Sequence, residues 1–224
     1  MPAKLNLASL ALTAMFVAAP LAVGLPGCAA QRVDLAERFG YTKREQLVDS
    51  VEDAREEQVE AKEQFESALD VFLALTGGQA TDLERAYRRL QRELDRSESQ
   101  AEDVSDRINR IELVADKLFA EWEAELEQYA SETLRRDSRR LLDETRPRYR
   151  DMLETMREAE ASMQPVLTAF QDQVLYLKHN LNAQAISGLQ ASSVELQEQT
   201  RQLIADMQRS IDEADAFIEA MRSE

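Results

Sequence analysis

Small and apolar side chains recur along most of this chain at alternating three- and four-residue steps. The longest uninterrupted stretch runs from Asp82 to Tyr129 and contains no proline or glycine. Such a pattern predicts a helix packed lengthwise against partner helices, with the recurring residues forming a seam. The predicted seam consists of Leu83, Tyr87, Leu90, Leu94, Ser97, Ala101, Val104, Ile108, Ile111, Ala115, Leu118 and Trp122. We expect the rest of the chain to flank this helix.

The same spacing continues on both sides of the central helix, interrupted by short polar or glycine-containing turns. The predicted helices span about 42–75, 82–129, 132–179 and 183–222. Short turns between long helices favour an up-down-up-down arrangement. The sequence therefore predicts an all-α fold: an elongated antiparallel helical bundle or coiled coil of four long helices, forming one domain over 42–224. At the rise of an α-helix the longest helices would measure about 72 Å.

The seams of the other three helices follow from the same reading of the sequence. The first consists of Leu47, Val51, Ala54, Gln58, Ala61, Phe65, Ala68, Phe72 and Leu75, the third of Leu141, Met152, Met156, Ala159, Met163, Val166, Phe170, Val174 and Leu177, and the last of Ile186, Leu189, Val194, Leu196, Ile204, Met207, Ile211, Ala214, Ile218 and Met221. Gln58 is the strongly polar seam residue of the first helix, and one such residue commonly fixes helix register at a cost in stability.

The ends and interior of the helices carry further local signals. Thr81 and Glu84 have the spacing of a capping box for the second helix. Ser131 or Thr133 would serve as the N-cap of the third. Pro147 and Pro165 lie inside the third helix, where proline removes a backbone donor. Either could bend or interrupt the helix, and we expect kinks.

The first 27 residues have the layout of a secretory signal peptide, with Lys4 before an apolar run from Leu5 to Val23. The following residues, Leu25-Pro26-Gly27-Cys28, resemble the lipobox of bacterial lipoproteins, although Pro26 stands where a small residue is usual. The resemblance implies cleavage before Cys28, acylation of that cysteine, and a lipidated tether over 28–41. The alternative is an uncleaved membrane helix, since the apolar run is nearly long enough to span a bilayer.

The residue after the cysteine indicates where a lipoprotein would reside. In the lipoprotein family an aspartate at this position signals retention in the inner membrane, whereas this chain has Ala29. The resemblance therefore implies attachment to the periplasmic face of the outer membrane. The inner membrane is the alternative.

Charge and composition exclude several classes of function. The chain has 27 basic and 43 acidic side chains and a formal charge of −16, which opposes the binding of nucleic-acid phosphates. His179 is the sole histidine and Cys28 the sole cysteine, so one chain cannot supply a histidine-based triad or a histidine-rich metal site. The close carboxylates on the first helix are expected to be a solvated face: Glu56, Glu57, Glu60, Glu63 and Glu66. We expect no catalysis and no cofactor or metal.

A basic cluster follows the second predicted turn. Between residues 135 and 150 the chain has seven arginines and three carboxylates. If the helices alternate in direction, this cluster lies at the end from which the tether leaves, where arginines could meet anionic headgroups. The alternative is that these arginines pair with acidic residues on the first and last helices.

A second departure from the seam pattern precedes the third predicted turn. Val174, Leu175, Tyr176 and Leu177 are consecutive apolar residues, which on a helix point to all sides. Polar residues follow at once: Lys178, His179, Asn180 and Asn182. An apolar patch with a polar rim is typical of a contact surface. We predict that these residues contact another envelope protein or a second copy of the chain. The alternative is a locally wider core that covers all four apolar residues.

Two stretches also resemble a known family. The stretch from Met163 to Leu189, together with that from Tyr41 to Ala54, resembles a proteobacterial lipoprotein family, the domain of unknown function numbered twenty-nine fifty-nine. The resemblance implies a helical, membrane-anchored envelope protein and implies no activity. No G-x-x-x-x-G-K-[ST] loop is present, so an ATPase is not expected.

Two classes of function remain. The first is a lipid-anchored, periplasm-facing coiled-coil protein that serves as a structural or adaptor component of the cell envelope. The second is a helical module that binds a small ligand or lipid between its helices. A pocket needs a widened core with converging polar groups, and the seams lack a run of small side chains that would open one. We therefore do not expect a small-molecule ligand.

Overall fold

The computed structural model describes residues 42–79, 82–180 and 183–223. These residues form four long helices: α1 (Lys43–Ala74), α2 (Leu83–Leu126), α3 (Glu132–His179) and α4 (Ala183–Ser223). A π-helical turn, Leu75–Gln79, follows α1, and no strand occurs in the described ranges. The predicted all-α class with four long packed helices is confirmed. The predicted signal peptide, the tether with Cys28, and Asn182 lie outside the described residues.

The helices form an antiparallel bundle in which α1 packs on α2 and α4, and α3 packs on the same two helices. Lys43 at the start of α1 forms a 2.9 Å ion pair with Glu121 near the end of α2. The guanidinium of Arg222, near the end of α4, lies 2.5 Å from a carboxylate oxygen of Glu52 on α1. The bundle therefore has two different ends. The Thr42 end holds the start of α1, the α2–α3 turn and the end of α4. The His179 end holds the π-helical turn, the end of α3 and the start of α4.

The core is a continuous column of apolar side chains along the bundle axis. Every predicted seam residue of α1, including Gln58, is buried. Near the His179 end, the rings of Phe72 and Phe170 meet edge to face with centroids 6.2 Å apart. Nearer the Thr42 end, the Tyr149 ring lies between those of Phe119 and Phe217. Burial raises the pKa of the Tyr149 phenol, and the nearby carboxylates of α2 add to the effect.

The predicted seam of α4 is wrong at two positions. Val194 is 73% exposed, and Ile204 is only partly buried. The buried seam runs instead through Leu189, Leu196, Leu203, Ser210 and Phe217, with Thr200, Met207, Ala214 and Met221 beside it. This seam keeps a strict seven-residue repeat, which places hydroxyl residues inside and leaves two branched apolar residues off the contact line. The α3 seam shows a smaller shift, because Leu142 is buried where Leu141 was predicted.

The helix ends follow local capping chemistry. Thr42 and Glu45 form a capping box that starts α1, and these hydrogen bonds lower the pKa of Glu45. Ser131 caps α3, as one of the two predicted candidates. The N-cap of α2 is Asp82, whose carboxylate accepts a 2.9 Å hydrogen bond from the backbone N–H of Arg85. The predicted cap, Thr81, lies outside the described residues, and α2 ends at Leu126, earlier than predicted.

Both prolines of α3 lie within one continuous helix, so neither interrupts it, and the expected kinks stay a prediction. Pro147 and Pro165 are exposed, as are Asp143 and Ala161, the residues four positions earlier. A carbonyl that loses its helical donor to proline can be hydrated at such positions. The opposite face of α3 stays buried against its neighbours, and this packing favours continuation of the helix through both prolines.

Candidate functional site

The predicted contact surface lies at the His179 end, and the structure separates its residues into two groups. Val174 and Leu177 are buried in the core, whereas Leu175 is 52% exposed and Tyr176 is 41% exposed. The wider-core alternative therefore applies to two of the four consecutive apolar residues, and not to the other two. Lys178 and His179 are exposed, Asn180 is partly buried, and Asn182 lies outside the described residues.

The two exposed apolar residues belong to an open groove between α3 and α4, which we call the tip groove. Its volume is about 600 Å³. The lining residues are Asp172, Gln173, Leu175, Tyr176, His179, Asn180, Gly188 and Ser192. Apolar surface from Leu175 and Tyr176 thus adjoins a carboxylate, an imidazole, amides and a hydroxyl. A partner could bury the apolar part while hydrogen bonding to the rim.

The shape of the tip groove depends on Gly188. A Cβ atom built at this position would lie 2.6 Å from the hydroxyl oxygen of Tyr176 and 3.0 Å from its Cζ. The absence of a side chain at Gly188 therefore lets the Tyr176 ring lie against α4. A glycine inside a helix lowers stability relative to alanine, and here it permits this close contact.

Hydrogen bonds hold the walls of the tip groove in place. Ser192 Oγ donates to Gln173 Oε1 at 2.9 Å, joining α4 to α3. Asn180 Nδ2 donates to the Tyr176 carbonyl oxygen at 2.9 Å at the end of α3. Gln190 Nε2 donates to the Thr76 carbonyl oxygen at 2.6 Å, which ties α4 to the π-helical turn. These hydrogen bonds join α3, α4 and the π-helical turn at the end of the bundle that contains Leu175 and Tyr176.

A second groove lies between α2 and α3 near the middle of the bundle, with a volume of about 410 Å³. Its apolar floor includes Ala101, Met163 and Leu167. Carboxylates of Glu98, Glu102 and Glu160 stand among the lining residues. This groove suits the ligand-binding alternative, and its carboxylates would favour a cationic ligand.

The basic cluster lies at the Thr42 end, and several of its arginines form ion pairs with nearby glutamates. The pairs are Arg135–Glu132, Arg139–Glu127 (3.5 Å), Arg140–Glu144 (3.0 Å) and Arg146–Glu123 (2.7 Å). Pairing with acidic residues was one of the two expectations, but for these four arginines the predicted partners on the first and last helices are wrong. The tight α2–α3 turn instead brings the acidic end of α2 beside the start of α3.

The described residues contain no group of three or more histidine, cysteine, aspartate or glutamate side chains placed to hold a metal ion. Among the same residues, no helix has a stretch long and apolar enough to cross a membrane.

Sequence reasoning identified Leu175, Tyr176, His179 and Asn180 but missed the α4 side of the tip groove. Gly188 and Ser192 complete that wall. The available signal was a glycine inside an otherwise helical segment, which often has a packing reason. The facing tyrosine is 12 positions earlier in the chain, at Tyr176, so the sequence pattern did not reveal their contact.

The chain belongs to a family whose members share this domain. The family model DUF2959, described as a protein of unknown function, matches residues 33–221. No curated protein and no solved structure matches the chain.

Proposed function

We propose that this DUF2959 protein is a lipid-anchored, periplasm-facing structural or adaptor protein of the cell envelope, and that it performs no catalysis. Its helical bundle would hold the tip groove away from the membrane and present it to another envelope protein. Acyl chains on Cys28 would supply the anchor, at the outer membrane according to the lipobox-like context with Ala29.

One observation carries the adaptor half of this proposal: Leu175 and Tyr176 are exposed although they lie beside the core residues Val174 and Leu177. Removal of their remaining exposed area from water needs a second surface, because Tyr176 stays 41% exposed even though its ring lies against α4. The exposed apolar side chains adjoin polar rim groups, which is the composition of many transient contact surfaces.

The antiparallel arrangement supports the anchor half. Thr42 lies at one end of the bundle and the tip groove at the other. A lipid on Cys28 would therefore place the membrane near the Thr42 end and leave the tip groove on the far side. The long helices would separate the two by about 60 to 70 Å.

The test is photo-crosslinking in cells, with a crosslinking amino acid at position 178 beside the tip groove. We expect a discrete crosslinked product that disappears when Leu175→Asp or Tyr176→Ala is added. Gly188→Ala should also weaken it, because the new methyl group displaces the Tyr176 ring. Val194→Asp is the matched control: Val194 is more exposed than either groove residue and does not line the groove.

Melting temperature and helicity of the purified variants separate a contact role from a structural one. An adaptor role predicts that both change little in Leu175→Asp and Tyr176→Ala. Unfolding of these variants, or equal loss of the crosslink in Val194→Asp, would contradict it.

The anchor is tested by Cys28→Ser with the rest of the chain unchanged. This variant should leave the membrane fraction, because no described helix can span a bilayer. If it still fractionates with membranes, either the uncleaved helix is the anchor or a protein partner holds the chain there.

A further inference from the structure

The Thr42 end carries two large apolar side chains that the bundle leaves exposed. Leu134 is 57% exposed and Tyr129 is 40% exposed. They flank the α2–α3 turn, Tyr129 just after α2 and Leu134 in the first turn of α3. Trp122 is also partly buried here, and its indole N–H donates to Ser138 Oγ at 2.8 Å. An aromatic and aliphatic pair is thus exposed at the tip of a helical hairpin.

Most of the charged side chains around Tyr129 and Leu134 are already paired, so charge alone would not attract a partner to this end. The nearby arginines Arg135, Arg139 and Arg140 are engaged with carboxylates of the same hairpin. Arg136 is exposed and forms no ion pair within the described residues. A hairpin tip with mostly neutralised charge and exposed apolar residues is suited to an uncharged or weakly charged apolar surface.

The position of the start of α1 indicates which surface the Thr42 end would contact. Thr42, where α1 begins, lies at the same end of the bundle, as the Lys43–Glu121 ion pair shows. Cys28 precedes Thr42 by 14 residues, and a segment of this length reaches at most about 50 Å when extended. A lipid on Cys28 would therefore leave Tyr129 and Leu134 within reach of the bilayer. Tyrosine is enriched at membrane interfaces because its ring is apolar and its hydroxyl is polar.

We propose that Tyr129 and Leu134 insert into the headgroup region of the lipid bilayer and orient the bundle relative to the membrane. The proposal rests on the proposed lipid anchor. Two side chains alone bind a bilayer weakly, but the tether makes the contact intramolecular and raises its effective concentration. The lipid anchor limits how far the bundle can lie from the membrane, and the contact at the hairpin tip sets the orientation of the bundle axis relative to the membrane.

The test uses the full lipidated chain in vesicles of phosphatidylethanolamine and phosphatidylglycerol. The sulfur of an acylated Cys28 is blocked, so Leu134→Cys provides a single thiol for an environment-sensitive fluorophore. The matched control is Leu175→Cys, an exposed leucine of the same helix at the opposite end. We expect the label at position 134 to shift to shorter wavelength and to lose most of its emission when brominated lipids are included. The label at position 175 should show neither change.

Two further measurements separate apolar insertion from electrostatic attraction and from burial by protein. Adding Tyr129→Asp should remove most of the quenching at position 134, while circular dichroism remains unchanged. Raising the ionic strength should leave the quenching intact, since apolar insertion is not screened by salt. Loss of quenching at high salt would overturn the proposal in favour of arginine–headgroup attraction. A blue shift without quenching would also overturn it, because another protein segment would then cover the site.

The mass of the Cys28 peptide separates failure of this proposal from failure of the anchor. An acylated, vesicle-bound protein whose label at position 134 is not quenched refutes only the bilayer contact. A protein with unmodified Cys28 that does not stay on vesicles refutes the anchor and the contact together.

Discussion

Individual residues were predictable from sequence where polarity and burial agree. All predicted seam residues of α1 are buried because apolar side chains occupy nearly every contact position there. In α4, Thr200 and Ser210 lie in the core while Val194 is exposed. A seam predicted from apolar residues alone therefore includes Val194 and omits the two hydroxyl residues. Thr200 Oγ1 donates to the Leu196 carbonyl oxygen at 2.8 Å, which satisfies the hydroxyl inside its own helix. This hydrogen bond within the helix explains why the buried seam can accommodate a polar residue.

Gln58 carries a residue-scale prediction about stability. Its side chain is fully buried, and its Oε1 accepts a 2.9 Å hydrogen bond from Ser210 Oγ, whereas its buried Nε2 has no partner within the described residues. A buried unsatisfied donor costs about 1–3 kcal/mol. We expect Gln58→Met combined with Ser210→Ala, which replaces both partners of the hydrogen bond with apolar side chains, to raise the free energy of unfolding by about 1 kcal/mol in urea denaturation.

The matched control at this position is Gln58→Ala, which removes the same amide but leaves a cavity. It should lower the free energy of unfolding by about 2 kcal/mol. A loss of stability in the Gln58→Met, Ser210→Ala variant as well would indicate that the amide group contributes more to stability than its unpaired donor costs. Because a polar seam residue can fix helix register, the methionine variant should also be checked for a broader thermal transition.

Whole elements were more predictable than their ends. Long periodic segments separated by glycine or polar turns gave the correct number of helices, because tertiary packing of the seam dominates helix stability. The ends depend on single capping hydrogen bonds. Thr81 and Asp82 are adjacent, and either side chain can cap a helix. The spacing to Glu84 favoured Thr81, whereas the N-cap of α2 is Asp82. The continuity of α3 through its prolines was also not predictable, since exposure of Pro147 and Pro165 on the solvent side can be read only from the packed structure.

The continuity of α3 gives an element-scale prediction. Spin labels at Leu134→Cys and Leu175→Cys, in a Cys28→Ser background, would stand 41 residues apart on one helix. A continuous helix with at most gentle curvature predicts a separation of about 60 Å in pulsed electron paramagnetic resonance. Pro147→Ala and Pro165→Ala should leave this distance within the uncertainty of the label linker. A markedly shorter distance that lengthens in either alanine variant would show that the proline bends α3 in solution.

At the scale of the whole molecule, the antiparallel arrangement makes the two ends chemically different. The Thr42 end presents Tyr129 and Leu134 among paired arginines, and the His179 end presents the tip groove. Sequence periodicity predicted that the turns alternate between ends, which brings residues distant in the chain to the same end. It did not predict the tip groove, because that shape depends on the register of α3 against α4 and on the Tyr176–Gly188 contact.

The separation of these ends gives the last prediction, which concerns the shape of the molecule. The longest helix, α3, has 48 residues, which corresponds to about 72 Å. Small-angle scattering of the Cys28→Ser protein should therefore give a longest dimension above ~70 Å and a radius of gyration above about 20 Å. A compact domain of similar length would have a radius of gyration near roughly 16 Å. The compact value would mean that the helices fold back on themselves in solution. A bundle of that shape could not hold the tip groove away from a membrane that contacts the Thr42 end.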